Sequence, residues 1–390
     1  MTDQIKTHSN YDTQFLIESF KSFIGQTEEF KNYDFDGSGL KEIIRILSYS
    51  DQNGAIQNQF MFNELNMDSA DIHNNVLSLA ARNGYLPRSK TCSKIIKTIS
   101  VKSKGDQPPS EIVLNKDNRF ITRTTSNKIL TFSPDKEYRA QLNSDGYYIF
   151  NDVTLYQGVW LNQSYTVQTA NSIEAYKVSN FNVDTSTLTV AVRDNSSSAE
   201  YVTYKQFKTA HDLDNKSNLF YITCKRDGYY YIEFGDDVLS KKLKYQNIVY
   251  LSYLSTDGAV GNDITELTAS TPIGGFIDIS ITGPDRSFGG GERASKEFIR
   301  LNAAKNVSTK GNCVSDSDYE AAIVELYPDV TSVRAWGGEK SDPLKYGYTY
   351  ISAKFSSFDT MSEELKTDMF NKLKERNVGS ITPIIVDPDY

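Results

Sequence analysis

The sequence predicts a multidomain α+β protein with N-terminal helices, a β-rich middle and a small C-terminal α/β unit of the split-βαβ type. Its 390 residues are enough for two or three domains at roughly 150 residues each. The apolar period is helical in the first part of the chain and changes to two near residue 94. After residue 282, helical and strand patterns alternate. We therefore expect three regions, 1–93, 94–285 and 286–390.

The first region reads as helical. The apolar residues of its second helix recur at the spacing i, i+3, i+4, i+7, with Ser38 as the predicted N-cap. A third helix is expected over Asp68–Asn83, ending at Gly84. Helices this early in a chain, with no obvious partner helices later, often pack on another subunit. The apolar residues that carry the first two helices are Phe15, Phe20, Phe23, Ile24, Leu40, Ile43, Ile44 and Leu47.

The middle region alternates apolar and polar residues between clusters of Gly, Asn, Asp and Pro, which is typical of strands. We expect a β-rich region, built either as one unit or as two sheets or subdomains. The predicted strands are Ile95–Val101, Glu111–Leu114, Phe120–Arg123, Ile129–Phe132, Tyr147–Leu155, Tyr165–Gln168, Leu188–Val192, Leu219–Cys224, Tyr229–Phe234 and Ile248–Leu254.

The third region has the predicted order α-α-β-β-α-β, of which the last five elements suggest a split-βαβ sandwich. That layout usually needs one more element, and the chain stops just after an apolar strand. We expect either a truncated C-terminal end or a layer that another chain completes. The predicted elements are helices Glu292–Asn306, Asp316–Leu326 and Ser362–Arg376, and strands Val330–Trp336, Tyr348–Phe355 and Ile381–Val386.

Composition favours assembly over catalysis. No stretch approaches the roughly 18 apolar residues of a membrane helix, and the polar N-terminus does not resemble a secretory signal. A net charge of −8 argues against a nucleic-acid binder. The three cysteines form no C-x-x-C pair, so we expect reduced thiols. Only three histidines are present, against 25 tyrosines, and amphipathic aromatic side chains are typical of interfaces.

Two motifs imitate ligand sites. Asp34-x-Asp36-x-Ser38-Gly39 looks like the start of a calcium loop, but Arg45 occupies the twelfth position, where an EF-hand needs a bidentate Glu. A capped helix–turn–helix is the better interpretation, with no metal. Gly289-Gly290-Gly291 opens a G-x-G-x-x-A pattern, yet Glu292 places a negative charge where a pyrophosphate would lie. We interpret the glycines as a flexible hinge and expect no cofactor.

Other candidates remain open. Tyr229, Tyr230 and Tyr231 place alternate rings on both faces of a strand, which suits carbohydrate stacking but more often sheet packing or a subunit interface. Arg286, Arg293 and Arg300 recur every seven residues and could pair with acidic partners, although a solvated or subunit-facing row is favoured. Fifty acidic residues make carboxylate pairs expected by chance, so no catalytic pair can be selected.

Several segments together resemble the baseplate wedge subunits of contractile-tailed phages, the baseplate J-like family. Each is weak alone, but their order and spacing over about 350 residues make the resemblance specific. The segments are Tyr33–Leu40, Ala81–Lys90, Tyr231–Asp236, Tyr253–Asn262, Cys313–Glu320, Tyr327–Asp329, Val333–Glu339 and Ile381–Pro383.

The resemblance implies a structural protein of the virion tail baseplate, assembled in the host cytoplasm, and no enzyme. Such subunits form homodimers and join other wedge proteins, and hub or sheath-initiator proteins are further partners. Six wedges surround the hub, and the ring rearranges when the tail contracts for genome ejection. By analogy Gly289, Gly290 and Gly291 act as a hinge, and an intersubunit bundle includes Phe15, Phe20, Phe23, Leu40, Ile43 and Leu47.

Two alternatives stay open at this point. A tail-associated carbohydrate-binding or hydrolytic protein would need aromatic rings along a cleft with two fixed carboxylates. The equivalent subunit of a contractile injection system that is not a phage would have the same sequence pattern. The resemblance also implies more chain after Asp387-Pro388-Asp389-Tyr390, because large wedge subunits continue past this point.

Overall fold

A computed structural model describes residues 12–388, except 106, 125–126, 169–173, 208–213, 215, 284–285, 310, 342, 357–359 and 380, and the side chains of 307–309. It confirms the predicted α+β, multidomain class. The chain divides into two compact units, residues 1–79 and 80–390, and each is described by itself below. The division into three regions stays a prediction.

The first unit is helical, with α1 (Thr13–Ile24), α2 (Leu40–Glu64) and the start of α3 (His73–Arg82). The Asp12 side chain caps α1 by accepting the Gln14 N–H. Helices α1 and α2 run antiparallel, because the Thr13 hydroxyl donates to Gln52 at 2.6 Å while Lys21, at the other end of α1, pairs with Asp36 before α2.

Helix α3 begins five residues later than predicted. The Glu64 carboxylate accepts the N–H groups of Asp71 and Ile72 at 2.8 and 3.2 Å, and the Ser69 hydroxyl donates to the Asn63 carbonyl. These side-chain bonds satisfy the backbone in a tight turn after α2, which competes with helix formation over residues 68–72.

The second unit begins with a β-rich part of two sheets and a ribbon. Its strands are β1 (Lys94–Lys102), β2 (Glu111–Leu114), β3 (Phe120–Arg123), β4 (Ile129–Pro134), β5 (Tyr138–Gln141), β6 (Tyr147–Gln157), β7 (Val159–Thr166), β8 (Tyr176–Lys177), β9 (Val183–Arg193), β10 (Val202–Gln206), β11 (Leu219–Cys224), β12 (Tyr230–Phe234), β13 (Ile248–Ser255), β14 (Thr268–Ala269) and β15 (Ile279–Thr282).

The first sheet has the order β14-β3-β4-β6-β1-β15, and the second β7-β13-β9-β10-β11-β12-β8; β2 pairs with β5. Only the β10–β11 pair is parallel among the described pairs of this part. Alternate residues of β1 are buried and pack with Phe120, Phe132 and Tyr148 in one apolar core. The predicted alternation therefore reports one buried and one exposed face.

The strand predicted at Tyr165–Gln168 lies mostly too late, because β7 starts at Val159. Gly158 makes the early start possible, with φ at +136° and a Cβ position that would fall 2.3 Å from the Ser255 carbonyl oxygen. Only glycine fits both conditions. The chain therefore passes from the first sheet into the second at a single residue.

The C-terminal part consists of α4 (Lys296–Thr309), α5 (Asp316–Leu326), β16 (Val330–Gly337), β17 (Tyr348–Phe355), α6 (Glu363–Lys374) and β18 (Thr382–Val386). The sheet order is β16-β17-β18, with the first pair antiparallel and the second parallel. Ser315 and Asp318 form a capping box at α5. Ile351, Met369 and Leu373 lie in the core between this sheet and its helices.

Helix α4 starts later than the predicted Glu292. Gly291 pairs with Thr91 in an antiparallel bridge, and the Ala294 N–H donates to the Arg88 carbonyl at 3.1 Å. These bonds hold residues 291–294 in an extended form until Ser295. Among the described helices, none is long and apolar enough to cross a membrane.

Candidate interaction surfaces

The helical unit exposes an unusual share of large apolar side chains. Thirteen of the thirty exposed large apolar residues among the described residues lie within residues 12–79. No residue of α1 is buried, and α2 buries only Ile44 and Ser48. Contiguous exposed apolar surface on a folded protein marks an interaction site.

Four of the six predicted interface residues are exposed. Phe15, Phe23, Ile43 and Leu47 have relative exposures of 53, 72, 54 and 48%, whereas Phe20 and Leu40 are half-buried. The interface itself stays a prediction, because no partner chain is present in the structure. Other exposed apolar residues of α2 and its C-terminal end are not among the predicted interface residues, namely Ile46, Tyr49, Phe60, Met61, Phe62 and Leu65.

Helical periodicity could have found part of this surface. Met61 lies eighteen residues after Ile43, which is five turns at about 3.6 residues per turn. One face of α2 and its C-terminal end therefore includes Ile43, Leu47, Met61 and Leu65. Between Leu47 and Met61, the residues on this face are polar. The apolar spacing that predicts this helix ends at Leu47, so it does not predict the exposed residues of the second half.

Charge is distributed unevenly between the units. Residues 1–79 contain twelve acidic and five basic residues, which accounts for −7 of the net charge of −8. The acids lie mainly in the turns around the helices, including Glu28, Glu29, Asp34 and Asp36. The helix faces are therefore apolar and nearly neutral, while the turns are acidic.

The calcium-like loop is held by protein groups. The Asp34 carboxylate accepts the N–H groups of Asp36 and Gly37 at 3.0 and 3.2 Å, as in an Asx turn. Asp36 pairs with Lys21, and the hydrogen bond and charge of this lysine lower the pKa of the Asp36 carboxyl. Among the described residues, no cluster of three or more potential ligands could hold a metal ion.

The glycine segment is packed and hydrogen-bonded. Gly290 exchanges two bonds with the Asn262 side chain at 2.8 and 2.9 Å. A Cβ on Gly291 would lie 2.2 Å from the Pro328 ring. Gly289 adopts φ of +87°, a conformation that favours glycine. The hinge stays a prediction, and these contacts define what a hinge motion must break.

A strap, defined as residues 85–94, connects three parts of the second unit. The Arg88 guanidinium donates to the Glu325 carbonyl at 2.7 Å, and the Lys94 ammonium pairs with Asp368 of α6 at 2.8 Å. The Cys92 N–H donates to buried Asp184 of β9 at 2.7 Å. The strap therefore ties both sheets to the α/β part, beside a cavity of about 440 Å³.

The three cysteines are free and buried. Burial, followed by the nearby Asp184 carboxylate, raises the pKa of the Cys92 thiol. Burial likewise raises the pKa of Cys224 and of Cys313, each to about 11. All three therefore remain protonated near neutral pH and lack the thiolate that nucleophilic chemistry requires.

The tyrosine run is engaged in packing. Tyr230 is buried and donates its hydroxyl to the Pro87 carbonyl at 2.9 Å. The Lys177 ammonium lies 3.5 Å from the centre of the Tyr229 ring and 5.9 Å from that of Tyr231. These contacts support the sheet-packing interpretation that the sequence favoured.

The three arginines do not form a single helix face, although Arg286 is exposed. Arg293 lies 4.0 Å from the centre of the Phe181 ring and donates to the Gly228 carbonyl at 2.5 Å. Arg286 pairs with Asp263 at 2.7 Å. The seven-residue spacing was misleading because α4 starts only at Lys296, so the three arginines do not share one helix.

Comparison with known proteins finds similarity to baseplate proteins. Residues 315–386 match the family described as baseplate structural protein gp6, C-terminal domain I. The chain is 24% identical over 408 residues to baseplate wedge protein gp6 of Enterobacteria phage T4, covering 97% of this chain and 58% of that relative. The chain therefore spans less than two thirds of the length of this relative.

A solved assembly also matches. In the cryo-EM structure of the anti-feeding prophage baseplate, one chain aligns with 96% of this chain and 71% of its own length, with a TM-score of 0.30 and 11% identity. A TM-score this low carries no argument about the fold. From the sequence comparisons, the resemblance to baseplate wedge subunits is confirmed, and residues 315–386 match C-terminal domain I of that family.

Proposed function

We propose that this protein is a non-enzymatic structural subunit of the baseplate wedge in a contractile phage tail. It forms a homodimer, joins other wedge proteins around the hub, and rearranges when the tail contracts. The observation that carries the proposal is the exposed apolar surface of residues 12–79. The 24% identity to a baseplate wedge protein over most of this chain supports it.

The exposed helix faces suit an intersubunit bundle. Apolar side chains at helical spacing pack against the same kind of side chain on another helix, and few charges interrupt the faces. The acidic turns lie outside the packed surface, where like charges in a homodimer remain hydrated and screened by salt. Other wedge proteins with basic residues beside these turns would gain attraction.

The strap suits transmission of a rearrangement within one subunit. It joins both sheets to the α/β part through charged and hydrogen-bonded contacts. Packed elements of this kind move between discrete arrangements. In this proposal the glycine segment beside the strap is the place where the two arrangements differ.

Sedimentation velocity of the full 390-residue chain tests the dimer. Ile43→Asp with Met61→Asp should convert the dimer to a monomer, because both substitutions place charge on one apolar face of α2. Ile277→Asp is the matched control, since Ile277 is 84% exposed outside the helical unit. Far-UV circular dichroism should be unchanged for all variants.

Limited proteolysis sharpens the result. Residues 12–60 should be cut readily in the monomeric variant and resist cleavage in the wild-type oligomer. A wild-type chain that is a compact monomer with these residues protected would contradict the proposed bundle. Locating the chain in an electron-microscopic reconstruction of the native particle tests the baseplate role itself, and a position outside the baseplate would refute it.

A further inference from the structure

Among the described residues, the helices that pack on the three-stranded sheet of the C-terminal part lie on one of its faces. Ala335, Ile351 and Ala353 point into the core with α5 and α6 and are buried. Because side chains alternate along strands, their neighbours lie on the opposite face, where they are exposed or half-buried. We call this the open face, and it includes Arg334, Trp336, Tyr350, Ser352, Ile384 and Val386.

The open face is aromatic at its centre. Trp336 and Tyr350 stack with ring planes 11° apart and centroids separated by 5.9 Å. A groove of about 820 Å³ runs over them, bordered by Pro343 and Pro388. Tyr346, which follows the groove-lining Lys345 in sequence, is 77% exposed. Trp, Tyr and Arg are the residues most often found to dominate binding energy at interfaces.

The charge of this face is opposite to that of the chain. The open face carries Arg334 on β16, Lys354 lies on β17, and Lys345 lines the groove. The single acid among the described groove-lining residues, Asp387, pairs with Lys366 at 2.7 Å. An acidic protein with net charge −8 therefore presents one cationic aromatic surface, which complements an acidic partner.

The edge of the sheet disfavours pairing with an added strand. The Thr382 N–H donates to the Gly347 carbonyl toward β17, so the alternation of the backbone turns Pro383 toward the outer edge of β18. Proline has no N–H to donate there. Strand addition at the β18 edge therefore lacks a backbone donor at Pro383.

We propose that the open face binds an acidic segment of another protein, with bulky apolar side chains against Trp336 and Tyr350 and a carboxylate paired with Arg334. This site goes beyond the N-terminal bundle and does not depend on it. Charge complementarity selects an acidic partner over a basic one, and the aromatic centre requires apolar anchors.

Selection from a combinatorial library of 12-residue peptides with the full chain tests the site without assuming a named partner. Enriched peptides should be acidic and contain Leu, Ile, Phe or Trp. Fluorescence anisotropy should show that Arg334→Glu weakens their binding at least tenfold and that Trp336→Ala does likewise. A peptide in which Asp or Glu is replaced by Lys should regain binding to the Arg334→Glu variant.

Two controls make the result decisive. Arg226→Glu changes an exposed arginine between β11 and β12 and should leave peptide binding unchanged. The double variant Arg334→Glu with Lys345→Glu changes only exposed residues and should keep the fold. It therefore still tests the site if Trp336→Ala fails to fold. The proposal is overturned by neutral or basic binders, by binders insensitive to both substitutions, by no enrichment, or by a self-association that Arg334→Glu abolishes.

Discussion

The two compact units bury their apolar residues to very different extents. In residues 80–390, Phe120, Phe132 and Tyr148 are fully buried in one core and Tyr319, Tyr327 and Ile351 in another. In residues 12–79, α1 buries nothing. Aromatic and aliphatic residues therefore form a buried core in the second unit, whereas in the first unit many of them form an exposed surface. In the proposed oligomer, this exposed surface is the part of the helical unit that a partner would cover.

The largest expected effect compares one phenylalanine from each unit. Phe120→Ala removes a fully buried ring and should lower the free energy of unfolding of the second unit by about 3–5 kcal/mol. Phe23→Ala changes a ring that is 72% exposed and should alter stability of the monomer by less than about 0.5 kcal/mol. Urea denaturation followed by fluorescence measures the free energy of unfolding of each variant. Nearly equal losses of stability in Phe120→Ala and Phe23→Ala would contradict the difference in burial between the two units.

Sequence periodicity predicted the helices and most strands but could not assign each face to a core or a partner. It placed α5 at Asp316–Leu326, as observed, because the apolar residues there lie on one helix face. It could not separate Ile44, which is buried, from Ile43, which is 54% exposed. Both are aliphatic and lie on the same helix. What distinguishes them is the packing of segments that lie elsewhere in the sequence.

Contacts between residues distant in sequence could not be predicted either. The bond between Cys92 and Asp184 joins residues 92 positions apart, and β15 pairs with β1 across about 180 residues. Short strands such as β8 and β14 have only two residues each and exist because of their neighbours. The baseplate resemblance depended on ordered short motifs, whereas the open face required the three-dimensional pairing of β16, β17 and β18.

The glycine segment provides the second comparison. Gly291→Ala should lower the free energy of unfolding by about 1–3 kcal/mol, because its Cβ would lie 2.2 Å from the Pro328 ring. In Gly289→Ala the new Cβ would have no close neighbour, but the residue would keep φ of +87°. This substitution should therefore lower the free energy of unfolding by about 1 kcal/mol. Thermal denaturation of both variants measures the difference, and a larger loss at Gly289 would contradict this packing.

Asp184 tests whether the strap stabilises the second unit. Its carboxylate is 1% exposed and accepts the N–H groups of Cys92 and Ser186 and the Ser186 hydroxyl. Asp184→Ala leaves these donors without a partner and should cost about 1–3 kcal/mol. Hydrogen exchange at the Cys92 amide should accelerate more than in an Asp263→Ala control, which changes an exposed ion pair. Equal exchange in both variants would show that the strap is held elsewhere.

The smallest expected effect is a pH dependence at the strap. Burial disfavours the ionised form of Asp368, but Lys372, Lys94 and the Tyr327 hydroxyl outweigh this cost, so the pKa of its carboxyl lies below the usual 3.8. A carboxyl whose pKa is lower in the folded state stabilises the fold above its unfolded value and loses that contribution as pH falls further. Stability should therefore decline below about pH 4 in part through Asp368.

Asp368→Asn isolates this contribution. The variant should be less stable than wild type at pH 7, and the difference should narrow as pH falls from about 4 toward 2, because wild-type Asp368 then becomes neutral as well. Denaturant titrations at several pH values measure the slope, with Asp263→Asn as the exposed control. A constant difference between wild type and Asp368→Asn across this range would mean that the strap is held by shape and neutral hydrogen bonds.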